Sequence, residues 1–216
     1  MAKDTKIILP RKDENGEYYI SYSQLTTWKK SKRDYIRQYF FGDKFEGNSY
    51  TDFGGDIGEA LENNDFSDFT AKERAFLETI PRYDQFERKI RLELDGFYVM
   101  GFIDTNTADF KHIMDYKTGD MGKESEYDND KYYQLEIYAM GLEQETGILP
   151  ETAKVTLIER TGNAFQGEEL KLGNKFIQID RSLDPFRLEY VKADVIKIAH
   201  EISDCYKTFL TLCGNE

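Results

Sequence analysis

The sequence has few cysteines and no long uninterrupted apolar run. Its two cysteines, Cys205 and Cys213, lie eight residues apart near the C-terminus, about two helical turns, which is too far for a disulfide within one helix. We therefore expect two free thiols in a reducing cytoplasm. A membrane-spanning helix needs about 20 consecutive apolar residues, so none is expected. Residues 1–6 lead into no apolar segment of the kind found in a signal peptide.

Positive charge is also in short supply. The chain has 29 Lys and Arg against 41 Asp and Glu, a net charge of −12, which is unusual for a nucleic-acid-binding protein. Carboxylates that hold a metal ion would account for part of this excess. Basic side chains are clustered at two places, where each is as compatible with a solvated face as with a phosphate contact. The clusters are Lys29, Lys30, Lys32, Arg33 and Arg37, and then Arg82, Arg88, Lys89 and Arg91.

Aromatic residues, in contrast, are abundant. The 216 residues include 15 Phe and 15 Tyr, and 39% of the chain is hydrophobic, so a disordered protein is excluded. This length predicts one domain over 1–216 with a sizeable core. Residues 1–20 are a polar lead-in.

The hydrophobic periodicity predicts helices and strands in alternating groups. Helices are expected over 21–41, 53–64 and 70–80, and strands over 86–94, 97–104 and 109–117, with a hairpin turn at Asp95-Gly96. A polar loop at 119–129, a helix at 131–145, strands at 154–159 and 170–180 and a helix at 184–212 follow. This order predicts an α/β (α+β) protein with a central mixed β-sheet flanked by helices.

Two acids and a lysine stand out against the apolar strands. Asp104 ends one apolar run, and Asp115 follows Ile113-Met114 in the next. Asp115 and Lys117 are two residues apart, so they share one face of a strand, and a hairpin would place Asp104 beside them. Two carboxylates and an ammonium at neighbouring strand ends can hold a divalent cation and a water, which favours phosphodiester hydrolysis. The pattern predicts a metal-dependent nuclease.

Other polar residues could complete this site. Glu59 and Glu62 share a helix face before the strands, and one of them could add a third carboxylate. Gln134 and Tyr138 share a face of the helix that follows Lys117, where they could orient the lysine, bond a phosphate or stack on a base. The two histidines, His112 and His200, have no partner at metal-ligand spacing.

These residues, taken in order, resemble the PD-(D/E)xK nuclease superfamily, and among its members the RecB-type nuclease domains and phage exonucleases. The resemblance covers about residues 20–140. One short motif would be weak evidence, whereas several in the right order are fairly specific. The matching segments are Ile20-Ser21-Tyr22-Ser23-Gln24-Leu25, Gly54 to Glu62, Gly101-Phe102-Ile103-Asp104, Asp115-Tyr116-Lys117-Thr118-Gly119, and Tyr133-Gln134-Leu135 with Tyr138-Ala139.

The resemblance implies a restriction-endonuclease-like core and a Mg²⁺- or Mn²⁺-dependent deoxyribonuclease, more often an exonuclease, acting on DNA in recombination, repair or phage DNA processing. Asp104, Asp115 and the backbone carbonyl of Tyr116 would bind the metal, with Glu59 or Glu62 completing its shell. Lys117 would position or deprotonate the attacking water or neutralise the phosphorane. Gln134 and Tyr138 would orient Lys117 or hold the scissile strand. A helicase or recombination protein is a possible partner, and the oligomeric state is left open.

The sequence departs from this family at two points. Gly58 stands where many RecB-type members have a histidine metal ligand. Ser31 stands about where relatives with an iron–sulfur cluster have their first cysteine, so no cluster is expected. Two alternatives therefore stay open, namely a non-catalytic protein of this fold that serves as a partner or scaffold in a DNA-processing or viral complex, and an unrelated acidic protein such as a nucleic-acid mimic.

Overall fold

A computed structural model describes residues 6–44, 47–128 and 131–214. The other residues, including the first five of the predicted lead-in and Asn129 of the predicted loop, lie outside the described part. Six strands form one mixed sheet. They are β1 (Tyr19–Ser21), β2 (Gln85–Leu94), β3 (Phe97–Asn106), β4 (His112–Gly119), β5 (Thr152–Thr161) and β6 (Lys171–Arg181).

The sheet joins two hairpins through its middle strands. β2 pairs with β3 and β5 pairs with β6 antiparallel, while β4 runs parallel to β5 along its whole length. The turn at Asp95-Gly96 closes the first hairpin, and Gly96 has a φ of 82°, which a residue with a Cβ adopts less readily. The predicted hairpin is therefore confirmed.

Strand β3 has three partners, and this determines where the sheet opens. β2 occupies one edge of β3 along its length. The other edge is shared, because β1 pairs in parallel with Tyr98–Met100, whereas β4 pairs only through Thr105↔Met114 and Asn106↔Ile113. Residues 101–104 of β3 therefore lie at a gap between β1 and β4.

Helices cover both faces of the sheet. The α-helices are α1 (Tyr22–Lys30), α2 (Lys32–Tyr35), α3 (Ser49–Asn63), α4 (Ala71–Leu77), α5 (Gln134–Thr146) and α6 (Pro185–Cys213). A π-helix spans Ile36–Phe40, and 3₁₀ helices span Met121–Tyr127 and Ala164–Gln166. α6 is the longest, with 29 residues, but no helix of the described chain is both long and apolar enough to cross a membrane.

The core consists of two apolar clusters on opposite faces of the sheet. The larger one joins α1, α5 and α6 to the sheet, with Leu25, Leu135 and Ile198 among its buried residues. The smaller one joins α3 and α4 to β5 and contains Leu61 and Leu77. A central mixed sheet flanked by helices is thus confirmed, and it is consistent with a restriction-endonuclease-like fold.

Several predicted boundaries were wrong. The helix expected over 21–41 is interrupted at Ser31, whose backbone is extended and whose side chain caps α2. The helix expected at 131–145 starts at Gln134, and the one expected from 53 starts at Ser49 because Asn48 provides a capping box. The loop expected at 119–129 contains a 3₁₀ helix capped by Asp120. Short polar side chains at helix ends explain most of these shifts.

Candidate active site

The predicted acids lie within strands, where β3 and β4 diverge. They were expected at strand ends, but β3 continues to Asn106 and β4 continues to Gly119. Beyond the pair Thr105↔Met114 the two strands separate, and the Asp104 carboxylate bridges the opening by accepting a hydrogen bond from the Tyr116 amide at 2.7 Å. A side chain thus takes the place of a strand-to-strand bond, which brings Asp104 beside Asp115 as predicted.

The closeness of the Asp104 and Asp115 carboxylates affects how Asp104 ionises. Burial, followed by the neighbouring charge of Asp115, raises the pKa of Asp104 to about 7, although Lys117 and the Tyr116 amide oppose the shift. Asp115 is 1% exposed. Asp104 is half-buried, and two acids so close together repel each other unless a cation or a proton intervenes. The pair is therefore a natural place for positive charge.

Lys117 supplies part of that charge. Its ammonium lies 2.5 Å from Oδ2 of Asp115, and its side chain remains 31% exposed. Burial alone would lower the pKa of Lys117, but the carboxylates of Asp115 and Asp104 outweigh burial, so the pKa is raised. The ammonium is charged in this arrangement and still reaches the surface.

Helix α5 provides a second layer behind the acids. The Gln134 side-chain amide donates to Oδ1 of Asp115 at 3.0 Å and lies 3.1 Å from the Tyr138 hydroxyl. Burial raises the pKa of Tyr138, so its hydroxyl stays protonated and can donate a hydrogen bond. Gln134 and Tyr138 thus lie beside the acids. They were expected to orient Lys117, whereas the bond seen here runs from Gln134 to Asp115.

Gly101 makes room for this layer. A Cβ built at Gly101 would lie 2.3 Å from the Tyr138 ring, a distance at which atoms overlap. The glycine three residues before Asp104 is therefore explained by packing, because only a residue without a side chain lets α5 approach β3 here. Tyr132, two residues before α5, adds a buried wall, and burial followed by the charge of Asp115 raises its pKa well above the usual value.

A cavity of about 830 Å³ opens in front of the acids. Asp104 and Lys117 line it from the strands, and Glu59 and Glu62 line it from α3. Both glutamates are exposed. Within the described residues, no three carboxylate, histidine or cysteine side chains are close enough together to hold one metal ion. The cavity therefore brings Asp104, Glu59 and Glu62 to one space, with Asp115 behind its lining, and the described residues form no closed metal shell there.

Glu87 is an acid at this cavity that the sequence pattern did not identify. It lies opposite Asp104 in the β2–β3 hairpin, between the pairs Phe86↔Thr105 and Arg88↔Ile103, and it lines the cavity. Its φ of 48° is in the left-handed region, which is uncommon for a residue other than glycine and is often found at functional sites. Burial, then Glu62 and Asp115, raise its pKa. Alternation along β2 predicts a solvated face for Glu87, and the residue is indeed exposed. Only the fold reveals that this face lines the cavity.

The predicted basic cluster is largely neutralised by acids. Lys29 pairs with Asp194 at 3.2 Å and Lys32 with Glu201 at 2.9 Å. Arg33 and Arg37 likewise lie near acids, Asp34 and Asp43 respectively. Lys30 is the exception in this cluster, because no carboxylate of the described chain forms an ion pair with it. The other expected site residue, Tyr116, lines the cavity and donates its hydroxyl to the Pro81 carbonyl.

Solved structures of exonucleases have the same fold. A candidate exonuclease from Eubacterium rectale has a TM-score of 0.51 at 14% identity over 88% of this chain and 84% of its own. An alkaline exonuclease from Laribacter hongkongensis has a TM-score of 0.51 at 12% identity over 91% and 93%. A phage-related exonuclease from Haemophilus somnus 129PT has a TM-score of 0.50 at 16% identity over 87% and 84%.

These similarities concern the fold. No family model matches the sequence, and no curated protein matches it. The chain shares its architecture with exonucleases at identities of 12–16%, so its own activity has to be argued from the residues at the divergence of β3 and β4.

Proposed function

We propose that this protein is a metal-dependent deoxyribonuclease that hydrolyses phosphodiester bonds at the cavity in front of Asp104, Asp115 and Lys117. The observation that carries the proposal is the contact of a charged lysine with a buried aspartate, 2.5 Å apart, beside a second acid whose pKa is raised. This arrangement has high local charge, a path to solvent and a fixed orientation, which are features of catalytic sites.

The donor set fits a hard divalent cation such as Mg²⁺ or Mn²⁺. Asp104 and Asp115 offer carboxylate oxygens, which these ions prefer, and their mutual repulsion is relieved by a positive ion. The Tyr116 carbonyl would be a further ligand, and Glu62 or Glu59, or the newly placed Glu87, would complete the shell directly or through water. Bound there, the cation would lower the pKa of a water molecule and polarise the phosphate.

The protein's own residues would then orient the reacting groups. Lys117, held as an ammonium, would hold the attacking water by hydrogen bonding and offset negative charge on the phosphate oxygens. Gln134 would keep Oδ1 of Asp115 in place, so that Oδ2 faces Lys117. Tyr138 would anchor Gln134, and the Tyr132 ring would exclude water from the rear of the site.

We further infer that the enzyme degrades DNA from ends. The solved structures of the same fold carry exonuclease names. Processing of phage DNA, recombination or repair intermediates in the cytoplasm would use such an activity, with a helicase or recombination protein as a possible partner. No iron–sulfur cluster is expected, since only two cysteines are present.

A second candidate is a non-catalytic protein of the same fold. It is favoured by Gly58 on α3, which stands where many of the RecB-type nucleases that the sequence resembles have a histidine ligand, and by the net charge of −12. Such a protein would bind a partner at this cavity or elsewhere without turnover.

The experiment that separates the two candidates uses linear and covalently closed circular DNA with Mg²⁺, Mn²⁺ or EDTA. We expect metal-dependent loss of linear DNA only, and at least a 100-fold slower reaction, about 2.7 kcal/mol in transition-state stabilisation, for Lys117→Ala. The matched control is Lys175→Ala, an exposed lysine on β6, which should cleave at the parental rate. If no DNA is degraded with either metal, the non-catalytic protein is favoured. If Lys117→Ala cleaves as fast as the parent, the assignment of catalysis to Lys117 is wrong.

A further inference from the structure

A second cavity, of about 880 Å³, adjoins the first. The two share Tyr50, Thr118 and Arg160 as lining residues. Thr118 directly follows Lys117 on β4, so the second cavity begins beside the reacting groups. It extends from there past the β5–β6 loop towards Lys30 at the end of α1.

Arg160 stands between the two cavities with unused hydrogen-bonding capacity. Its Nη1 donates to the Thr118 carbonyl at 3.3 Å, and its guanidinium lies 4.3 Å from the centre of the Tyr50 ring. Its Nε is buried without a hydrogen-bond partner, and no carboxylate in the described chain forms an ion pair with it. A half-buried guanidinium with donors left over suits a phosphate oxygen.

Tyr50 also fixes the loop between β5 and β6. Its hydroxyl donates to Oδ1 of Asn163 at 3.1 Å and accepts from the Ala164 amide at 3.0 Å. The Asn163 side chain in turn caps the short helix that contains Phe165. Phe165 is consequently held 5.3 Å from the Tyr50 ring, between ring centres, with 86% of its surface exposed. An aromatic ring placed rigidly in solvent beside a catalytic cavity is an unusual arrangement with no role in the core.

We propose that this second cavity binds an unpaired segment of the DNA strand that enters the active site. A base would stack on the exposed face of Phe165, while Arg160 and Lys30 would contact phosphates on either side. Stacking of this kind requires a base that is free of its complementary partner, so the inference specifies single-stranded DNA next to the scissile phosphate. The cleavage of this bound strand rests on the proposed nuclease function, whereas its binding does not.

Each of three acids that line the same cavity has a partner of its own. Asp120 accepts a bond from the Gly122 amide, and Glu159 accepts one from the Asn174 amide at 2.9 Å. Glu126 lies 3.9 Å from the ammonium of Lys123. Arg160 and Lys30 are the basic residues there that lack such pairing within the described chain.

The test measures binding separately from cleavage. A fluorescently labelled single-stranded oligothymidylate is titrated in EDTA, so that no turnover occurs, and anisotropy is recorded over a range of salt concentrations. Phe165→Ala should weaken binding about 5- to 30-fold, in line with the loss of one stacked base, and Phe165→Trp should retain it. Arg160→Gln should make the slope of log affinity against log salt shallower by about 0.7, the value for one phosphate contact on a single strand. Phe186→Ala is the matched control, since Phe186 on α6 is 90% exposed, and it should bind like the parent.

Each outcome bears on one proposal at a time. Equal binding by the parent, Phe165→Ala and Arg160→Gln would overturn the proposal that the second cavity binds single-stranded DNA, even if the protein degrades DNA. Equal losses of affinity for Phe165→Ala and Phe186→Ala would overturn it too. Weaker binding by Phe165→Ala and Arg160→Gln, in a protein that degrades no DNA, would support the binding of single-stranded DNA in the second cavity and contradict the nuclease proposal. A parent protein that binds no oligonucleotide at low salt would overturn the strand site and leave an acidic or aromatic peptide as the occupant to examine.

Discussion

The contact between Gly101 and Tyr138 makes a sharp prediction about Gly101→Ala. Ordinary contacts of a Cβ start at 3.4 Å, whereas the added methyl would lie 2.3 Å from Cε1 and 2.5 Å from Cζ and Oη of Tyr138. The ring therefore has to retreat by about 1.1 Å, the difference between the ordinary and the built contact. Tyr138 is 5% exposed, so it has little space into which to move.

The magnitude follows from this overlap. Inserting a methyl group into a packed site destabilises proteins by about 1–3 kcal/mol, and we expect Gly101→Ala to reduce the free energy of unfolding by this amount. The shift would also break the bond between Tyr138 and Gln134, now 3.1 Å long. Because Gln134 orients Asp115, cleavage should slow by about 10- to 100-fold, since a displacement of about 1 Å is enough for such a loss.

Urea denaturation in EDTA measures the stability effect, and a double-mutant cycle assigns its cause. Combined with Tyr138→Ala, the Gly101→Ala substitution should cost almost nothing, since the clashing ring is gone. Gly55→Ala is the control, because a Cβ at Gly55 meets nothing within 4 Å and alanine in a helix is favoured over glycine by about 0.5–1 kcal/mol. The reasoning is refuted if Gly101→Ala is as stable as the parent, or if its effect is the same with and without the Tyr138 ring.

Two further predictions concern metal affinity at Gly58 and the titration of Asp104. A Cβ at Gly58 would meet nothing within 4 Å, and Gly58 lines the cavity in front of Asp104. Gly58→His should therefore bind Mn²⁺ at least several-fold more tightly by calorimetry. Matched affinities for Gly58→His and Gly58→Ala would exclude position 58 from the proposed metal shell. The pKa of Asp104 near 7 in the folded protein lies above its value of about 3.9 in the unfolded chain. Between these two pH values the folded protein binds more protons than the unfolded chain. In EDTA, its free energy of unfolding should therefore fall as the pH rises from about 4 to 7. Asp104→Asn should flatten that fall in urea denaturation; an unchanged slope would show that Asp104 is not the titrating group.

Much of the site was predictable because it is encoded locally. The turn at Asp95-Gly96, the apolar strands and the two-residue spacing of Asp115 and Lys117 are all properties of short segments. Once the segment 109–117 is taken as a strand next to β3, the approach of Asp104 to Asp115 follows from an antiparallel pairing. Gln134 and Tyr138 follow in the same way from helical spacing.

The remainder depends on contacts between distant parts of the chain. β1 was not predicted, because its three residues have no pattern of their own and acquire their structure by pairing with β3. The position of Glu87 depends on a left-handed backbone within a strand, which alternation cannot indicate. The second cavity requires α3 and the β5–β6 loop to meet, and no sequence motif connects Tyr50 with Phe165.

The short pairing between β3 and β4 has a consequence for the order in which the molecule folds. The hairpins β2–β3 and β5–β6 form from neighbouring segments, and such local contacts tend to form early. β3 pairs with β4 at Thr105↔Met114 and Asn106↔Ile113, whereas β4 pairs with β5 along its whole length, so few contacts hold Asp104 beside Asp115 until β4 has paired with β5. A nascent or partly unfolded chain therefore lacks the paired carboxylates, and a cation that binds them stabilises the completed protein alone. Such an ion would act mainly by slowing unfolding, and the lifetime of the folded protein would then depend on the supply of that ion.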